Sequence, residues 1–160
     1  MSRGRNKPGD SPLLNDKTGY REVIGSLLYL AQWMRPDIAF TVNVASRAQD
    51  APTQAHQQLT KRIMRYLKGT RDDCIHFKMH ETVNIDAYSD ADHAGDKVTR
   101  RSTSGSVIVF AGGAVLWKSK PQRCVALSST EAEYVTASET AKSIVWRVCA
   151  TLCYRRMHAF

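Results

Sequence analysis

Long hydrophobic runs are missing from this sequence: nothing in it approaches the ~20 uninterrupted apolar residues of a membrane-crossing helix, so a membrane span is excluded. The opening stretch, Met1 to Asp16, is polar and has no hydrophobic h-region, so no secretory leader is expected and the location read from the sequence is intracellular. Cysteine is scarce and unpatterned. Cys74, Cys124, Cys149 and Cys153 form no Cys-x-x-Cys pair, and neither Cys74 with His76 and His80 nor Cys149 and Cys153 with His158 has zinc-site spacing. Reduced, mostly buried thiols are the expectation. Nine glycines and five prolines are ordinary, which removes collagen-like and low-complexity classes. What is present, 42% apolar and 24% charged residues over 160 positions, suits one folded domain, or one domain with a helical extension, and argues against wholesale disorder.

Charge is unevenly spread. Residues 1–71 hold 12 basic and 5 acidic side chains, net +7, whereas residues 72–160 hold 11 and 10, net +1. A basic first half gains affinity for phosphates by counterion release, and it also serves as a solubilising surface.

Residues 1–18 read as a flexible tail. From Tyr20 onward Val23, Ile24, Leu27, Leu28, Ala31 and Met34 recur at helical spacing up to Pro36. A second helix over about 36–48 places Ile38, Val42 and Ala45 on one face. A third follows Pro52, with Thr53 as N-cap, Gly69 as C-cap and an apolar stripe of Leu59, Ile63, Tyr66 and Leu67. Lys61, Arg62, Arg65 and Lys68 fill the rest of that helix, a candidate phosphate-facing surface or an ordinary wet face. Beyond Thr70 the period becomes two. Cys74 to Phe77 is a short strand candidate. Val83, Ile85 and Ala87 alternate with Asn84, Asp86 and Tyr88 as in a strand with one buried face. Gly105 to Phe110, a turn at Gly112-Gly113 and Ala114 to Lys118 make a hairpin. An extended piece at 124–127 leads into a long helix over about 131–153, whose apolar positions include Val135, Ile144, Val145, Val148 and Leu152. The order predicts an α+β protein.

Two carboxylates stand out. Asp90 ends the strand after Tyr88, and Glu133 lies in the first turns of the long helix. A helix packed across the sheet brings its start near that strand end, and one or two carboxylates plus phosphate oxygens hold Mg²⁺. Each has a plainer reading. Ser128…Glu131 and Thr130…Glu133 both fit a capping box, and Asp90 and Asp92 fit a solvated turn. A calcium loop starting at Asp90 fails because its twelfth position is Arg101.

Three blocks carry a resemblance: Tyr88-Ser89-Asp90-Ala91-Asp92-His93-Ala94-Gly95-Asp96, Arg100-Arg101-Ser102-Thr103-Ser104-Gly105, and Ala126-Leu127-Ser128-Ser129-Thr130-Glu131-Ala132-Glu133-Tyr134, with Trp117-Lys118-Ser119-Lys120 between the last two. Together they resemble the ribonuclease H domain of copia-type LTR retrotransposon Pol polyproteins. Upstream, Tyr20 to Leu30, Arg35-Pro36-Asp37-Ile38 and Arg65 to Thr70 resemble the segment that links reverse transcriptase to ribonuclease H. The resemblance covers about residues 19–153. It divides the chain into a helical thumb- or connection-like segment (19–71), a partial ribonuclease H-like domain (72–153) with a mixed sheet in the order β-β-β-α, and a tail (154–160).

The resemblance implies hydrolysis of the RNA strand of an RNA–DNA hybrid by a two-metal mechanism. Asp90 and Glu133 would be the catalytic and metal-binding residues, Mg²⁺ or Mn²⁺ the cofactor, and Arg100 and Arg101 backbone contacts. It implies the rest of the polyprotein as a partner and no small-molecule cofactor. The sequence departs from the pattern in places. The family's third catalytic aspartate lies beyond the long helix, but no Asp follows Glu133 and Glu139 is the sole later acid. His93 stands where the family usually has Trp, and Ser106 where it usually has Tyr. The missing ligand predicts background cleavage by this chain alone. Two further readings remain: a non-catalytic nucleic-acid-binding remnant using the basic helix, and a relic whose truncated sheet exposes an edge and an apolar face.

Overall fold

The computed structural model describes residues 11–78, 85–96 and 99–157, with side chains described as far as Trp146. It divides into two compact units, Met1–Cys74 and Ile75–Phe160. Its class is α+β.

The first unit is helical. Helix α1 (Lys17–Trp33) starts where Asp16 accepts the Gly19 N–H at 2.9 Å. A 3₁₀ turn at Pro36–Ile38 leads into α2 (Ala39–Ser46), and α3 spans Gln54–Gly69. The sequence predicts one helix over 36–48. The structure tightens its first turn to 3₁₀ and ends it at Ser46. Leu27, Ala31, Ile38, Val42 and Ile63 form one buried cluster, and Tyr20, Ile24 and Ala45 a second, joined through Leu28 and Leu59. Met34, expected on the apolar stripe, is exposed because it sits past the last turn of α1. The Tyr20 hydroxyl donates to the Ala45 carbonyl at 2.8 Å, and burial raises its pKa.

Arg35 closes this unit. Its guanidinium forks onto Asp37 at 3.0 and 2.7 Å, donates to the Thr70 carbonyl and hydroxyl at 3.0 and 2.6 Å, and lies 5.7 Å from the Tyr66 ring centre. The fork holds the Asp37 carboxyl below the usual carboxylate range. Thr70, rather than Gly69, caps α3. The predicted tail is shorter than 1–18: Leu14 N–H donates to the Pro52 carbonyl, Gln54 N–H to the Pro12 carbonyl, and α1 is under way by Lys17. Residues 1–10 lie outside the described residues.

In the second unit, β1 (Ile85–Asp92), β2 (Thr103–Phe110) and β3 (Gly113–Pro121) form an antiparallel sheet in that order, and α4 (Ser129–Met157) packs against β1 and β2. Among the described residues the outer edge of β1 has no neighbouring strand. The hairpin turn falls at Ala111-Gly112, one residue earlier than the predicted Gly112-Gly113. Both residues have positive φ, 52° and 78°, as a two-residue type I′ turn requires. Val115 is the extra residue of a bulge opposite Ile108 and Val109.

The predicted strand at 74–77 is irregular backbone instead. It lies against the hairpin: Lys78 N–H donates to the Ala111 carbonyl at 2.7 Å, and Phe77 fills the space a side chain at Gly113 would need. The 124–127 segment is likewise a loop. Cys74 and Cys124 are reduced but exposed, contrary to expectation, since both sit on irregular surface segments.

Two further expectations need correction. Alternation predicts Ile85 and Ala87 on a buried face of β1, yet both are exposed, because no described element covers that end of the strand. Val83 lies outside the described residues. Helix α4 meets the sheet through small and polar side chains rather than an apolar stripe. Ala132, Thr136 and Thr140 are buried, while Val145 is 61% exposed. Ser104 Oγ and Thr136 Oγ1 are 2.7 Å apart. The buried Gln122 donates through Nε2 to Ser104 Oγ (3.0 Å), the Ala132 carbonyl (2.8 Å) and Thr136 Oγ1 (3.2 Å). Short side chains let the helix approach the sheet closely, and the hydrogen bonds satisfy the polar atoms that this approach buries.

Candidate active site

Helix α4 owes its start to Ser128, whose hydroxyl accepts the Glu131 N–H at 3.1 Å, while Glu131 Oε2 accepts the Leu127 N–H at 2.7 Å. Of the two pairs legible in the sequence, the structure therefore engages Ser128 and Glu131, with Glu131 reaching one residue further back, to Leu127, than a reciprocal capping box does. Glu133 is left exposed, with no hydrogen-bond or ion-pair partner among the described residues. It sits one position round from fully buried Ala132. The opposite flank of α4 carries Glu139, Ser143 and Trp146 toward β3, as the 3.0 Å bond from Lys118 Nζ to Ser143 Oγ shows. Helical spacing thus turns Glu133 toward the β1 side of the sheet.

Asp90 lies two residues before the end of β1, in register with Gly105, and is exposed without a partner among the described residues. Alternation puts it on one face with Asp86, Tyr88 and Asp92. Ser89 and Ala91 share the other face with Ser104 and Ser106, which α4 covers. The two carboxylates therefore lie on opposite faces of the sheet, Asp90 on the face away from α4 and Glu133 on the helix that covers the other face. Asp92 is engaged elsewhere, its carboxylate filling the space that a side chain at Gly95 would occupy.

Arg100 and Arg101 are exposed on the β1–β2 connection. Arg100 adopts positive φ (57°), its N–H donating to the Asp96 carbonyl at 2.8 Å. Thr99 hydroxyl and N–H both bind the Asp96 carboxylate, at 2.7 and 3.3 Å. These bonds tie Thr99 and Arg100 back to Asp96. His93, at one position of departure, holds the Ala126 carbonyl at 3.2 Å through Nε2, which ties the β1 exit to the lead-in of α4. Ser106, at the other, lines a groove beneath α4.

The remaining candidates, Lys61, Arg62, Arg65 and Lys68, are exposed on α3 of the first unit and make no ion pair among the described residues. They line shallow grooves along that helix with Leu59 and Met64. Gln122 is not legible from sequence pattern. A lone glutamine after a strand carries no signal until the helix is seen above it.

Oxygen donors such as Asp90 and Glu133 suit a hard divalent cation in kind. In number they fall short of a closed site: among the described residues no group of three His, Cys, Asp or Glu side chains is placed to hold a metal ion. Phosphate oxygens of a bound nucleic acid would have to complete the shell.

The chain is 46% identical over 130 residues to a retrovirus-related Pol polyprotein of the tobacco transposon TNT 1-94, and 45% identical over 139 residues to that of the Arabidopsis thaliana transposon RE1. These matches cover 81% and 87% of the chain but 10% and 9% of the polyproteins. It is also 44% identical over 132 residues to secreted RxLR effector protein 161 of Plasmopara viticola, spanning 82% of the chain and 93% of that relative. No family model and no solved structure matches. The chain belongs to the family of the retrovirus-related Pol polyproteins of transposons. It corresponds to a segment about a tenth as long as the plant polyproteins. One relative in this family is a secreted protein by name, so the intracellular location expected from the sequence is not a family-wide property. Among the described residues no helix is long and apolar enough to cross a membrane.

Proposed function

We propose that this segment carries two of the carboxylates, Asp90 and Glu133, of a copia-type ribonuclease H-like site that acts on the RNA strand of RNA–DNA hybrids. The observation that carries this reading is the division of labour on α4: Glu131 caps the helix, and Glu133 is left unpaired on the β1 side, toward the strand that bears an equally unpaired Asp90. When bound by these two residues, Mg²⁺ or Mn²⁺ would supply charge to stabilise the transition state of phosphodiester hydrolysis. The chain's own contribution is to carry the two carboxylates on β1 and α4, two rigid elements packed against each other. Arg100 and Arg101 would contact the hybrid backbone by shape and charge rather than by base.

With two carboxylates rather than three, the 160-residue chain is expected to cleave hybrid only at background level. Mn²⁺ binding followed by electron paramagnetic resonance in the presence of a hybrid tests the site directly. Binding should weaken at least about tenfold in Asp90→Asn and in Glu133→Gln, and stay unchanged in Glu131→Gln. Binding indifferent to all three substitutions would remove this reading, and robust Mg²⁺-dependent cleavage abolished by Asp90→Asn would overturn the prediction of background activity.

A second reading, binding without cleavage, is favoured by the four unpaired cations of α3. It predicts a hybrid gel shift whose salt slope falls by about 0.9 for each of these charges removed. A shift without salt dependence would end it.

A further inference from the structure

A groove of about 630 Å³ runs between α4 and the β2–β3 face, on the flank of the helix away from Glu133. Its walls hold Lys118 and Lys120 from β3, Arg123 from the loop that follows, and Lys142 from α4, against a single acid, Glu139. None of these four cations forms an ion pair among the described residues. Lys118 and Lys120 project from the same face of one strand, ~6.7 Å apart along it, about the interval between successive phosphates of an extended strand. The hydrogen bond from Lys118 to Ser143 fixes the first of them across the groove. Trp146 forms one rim and is 68% exposed.

Cations at strand spacing, a hydroxyl-lined floor and an exposed aromatic at the rim are the elements with which proteins hold single strands: phosphates on the charges, a base stacked on the ring. We propose that this groove binds single-stranded nucleic acid, with the backbone along Lys118, Lys120, Arg123 and Lys142 and a base against Trp146. An acidic peptide would satisfy the charges but has no flat base to lay on the exposed ring. The site is independent of the carboxylates of the proposed function, because it lies on the other flank of α4.

Fluorescence anisotropy of labelled dT12 and rU12 against the full chain tests it. Lys118→Gln with Lys120→Gln should reduce the salt slope by about 1.4, since each phosphate contact on a single strand contributes about 0.7. Trp146→Ala should weaken binding at least about fivefold, and Trp146→Phe should restore most of it. Asp90→Asn should leave binding unchanged, so a failure of the nuclease reading is separable from a failure of this one. Loss of binding in Lys61→Gln with Arg65→Gln, but not in the β3 pair, would move the site to α3 and overturn the proposal. Equal competition by poly-glutamate, or indifference to Trp146→Ala, would also overturn it.

Discussion

Replacing Gln122 by methionine should destabilise the second unit by about 1–2 kcal/mol. The two Nε2 hydrogens serve three acceptors, so two hydrogen bonds are lost, each contributing about 1 kcal/mol net. Their partners are not stranded. The Ala132 carbonyl keeps the Thr136 hydroxyl at 3.0 Å, and Ser104 and Thr136 keep each other at 2.7 Å. Methionine also removes Oε1, a buried acceptor with no partner among the described residues, which returns up to about 1 kcal/mol. Gln122→Ala should cost about 1–2 kcal/mol more, because a cavity is added to the same loss. Gln122→Glu should cost most, since it aims a carboxylate at the Ala132 carbonyl. Urea unfolding followed by the fluorescence of Trp117 and Trp146, in a Trp33→Phe background so that only this unit is observed, measures all three. A methionine variant within about 0.5 kcal/mol of the parent, or a glutamate variant as stable as the methionine one, would refute the reasoning.

In the first unit, Asp37→Asn should cost about 1 kcal/mol at pH 6, where the Arg35 fork binds an ionised carboxylate. Because the folded-state pKa of Asp37 is depressed, that stability is present above the unfolded value of about 3.9 and is lost as pH falls through the folded one. The gap between parent and variant in urea melts should therefore close toward pH 3, and a gap that persists would refute the assignment. Gly113→Ala should force residues 75–78 off the hairpin, since the new methyl would meet Phe77 Cε1 at 2.6 Å and the His76 carbonyl at 2.9 Å. Hydrogen exchange at the Lys78 amide should accelerate, and unchanged protection would contradict it. Ala111→Gly should stabilise by about 0.5–1 kcal/mol by relieving positive φ, readable as a higher melting temperature.

Periodicity in the sequence located α1, α3 and the β2–β3 hairpin to within a few residues, because each has a clean apolar repeat and an obvious breaker. It erred where tertiary contact overrides pattern. Cys74 to Phe77 has strand-forming residues but finds no ladder, and the Phe77 ring is used on Gly113 instead. The buried face of α4 is Ala132, Thr136 and Thr140, a stripe that hydropathy reads as neutral, while the apolar Val145 faces solvent. At the candidate site, residue types and spacing singled out Asp90 and Glu133 but left open which glutamate caps the helix. Only the hydrogen bond from the Leu127 amide to Glu131 decides that. The groove under α4 was invisible beforehand, since Lys118 and Lys142 are neighbours only once helix and sheet are packed.

Among the described residues, strand β1 offers eight residues of unshared backbone along one side, and Asp86, Asp90 and Asp92 share one face beside it. Two copies meeting along that side would crowd six negative charges together, so these carboxylates act as a deterrent to self-pairing. Neutralising all three at once should make the protein clump, and light scattering belongs beside any activity measurement on such a variant.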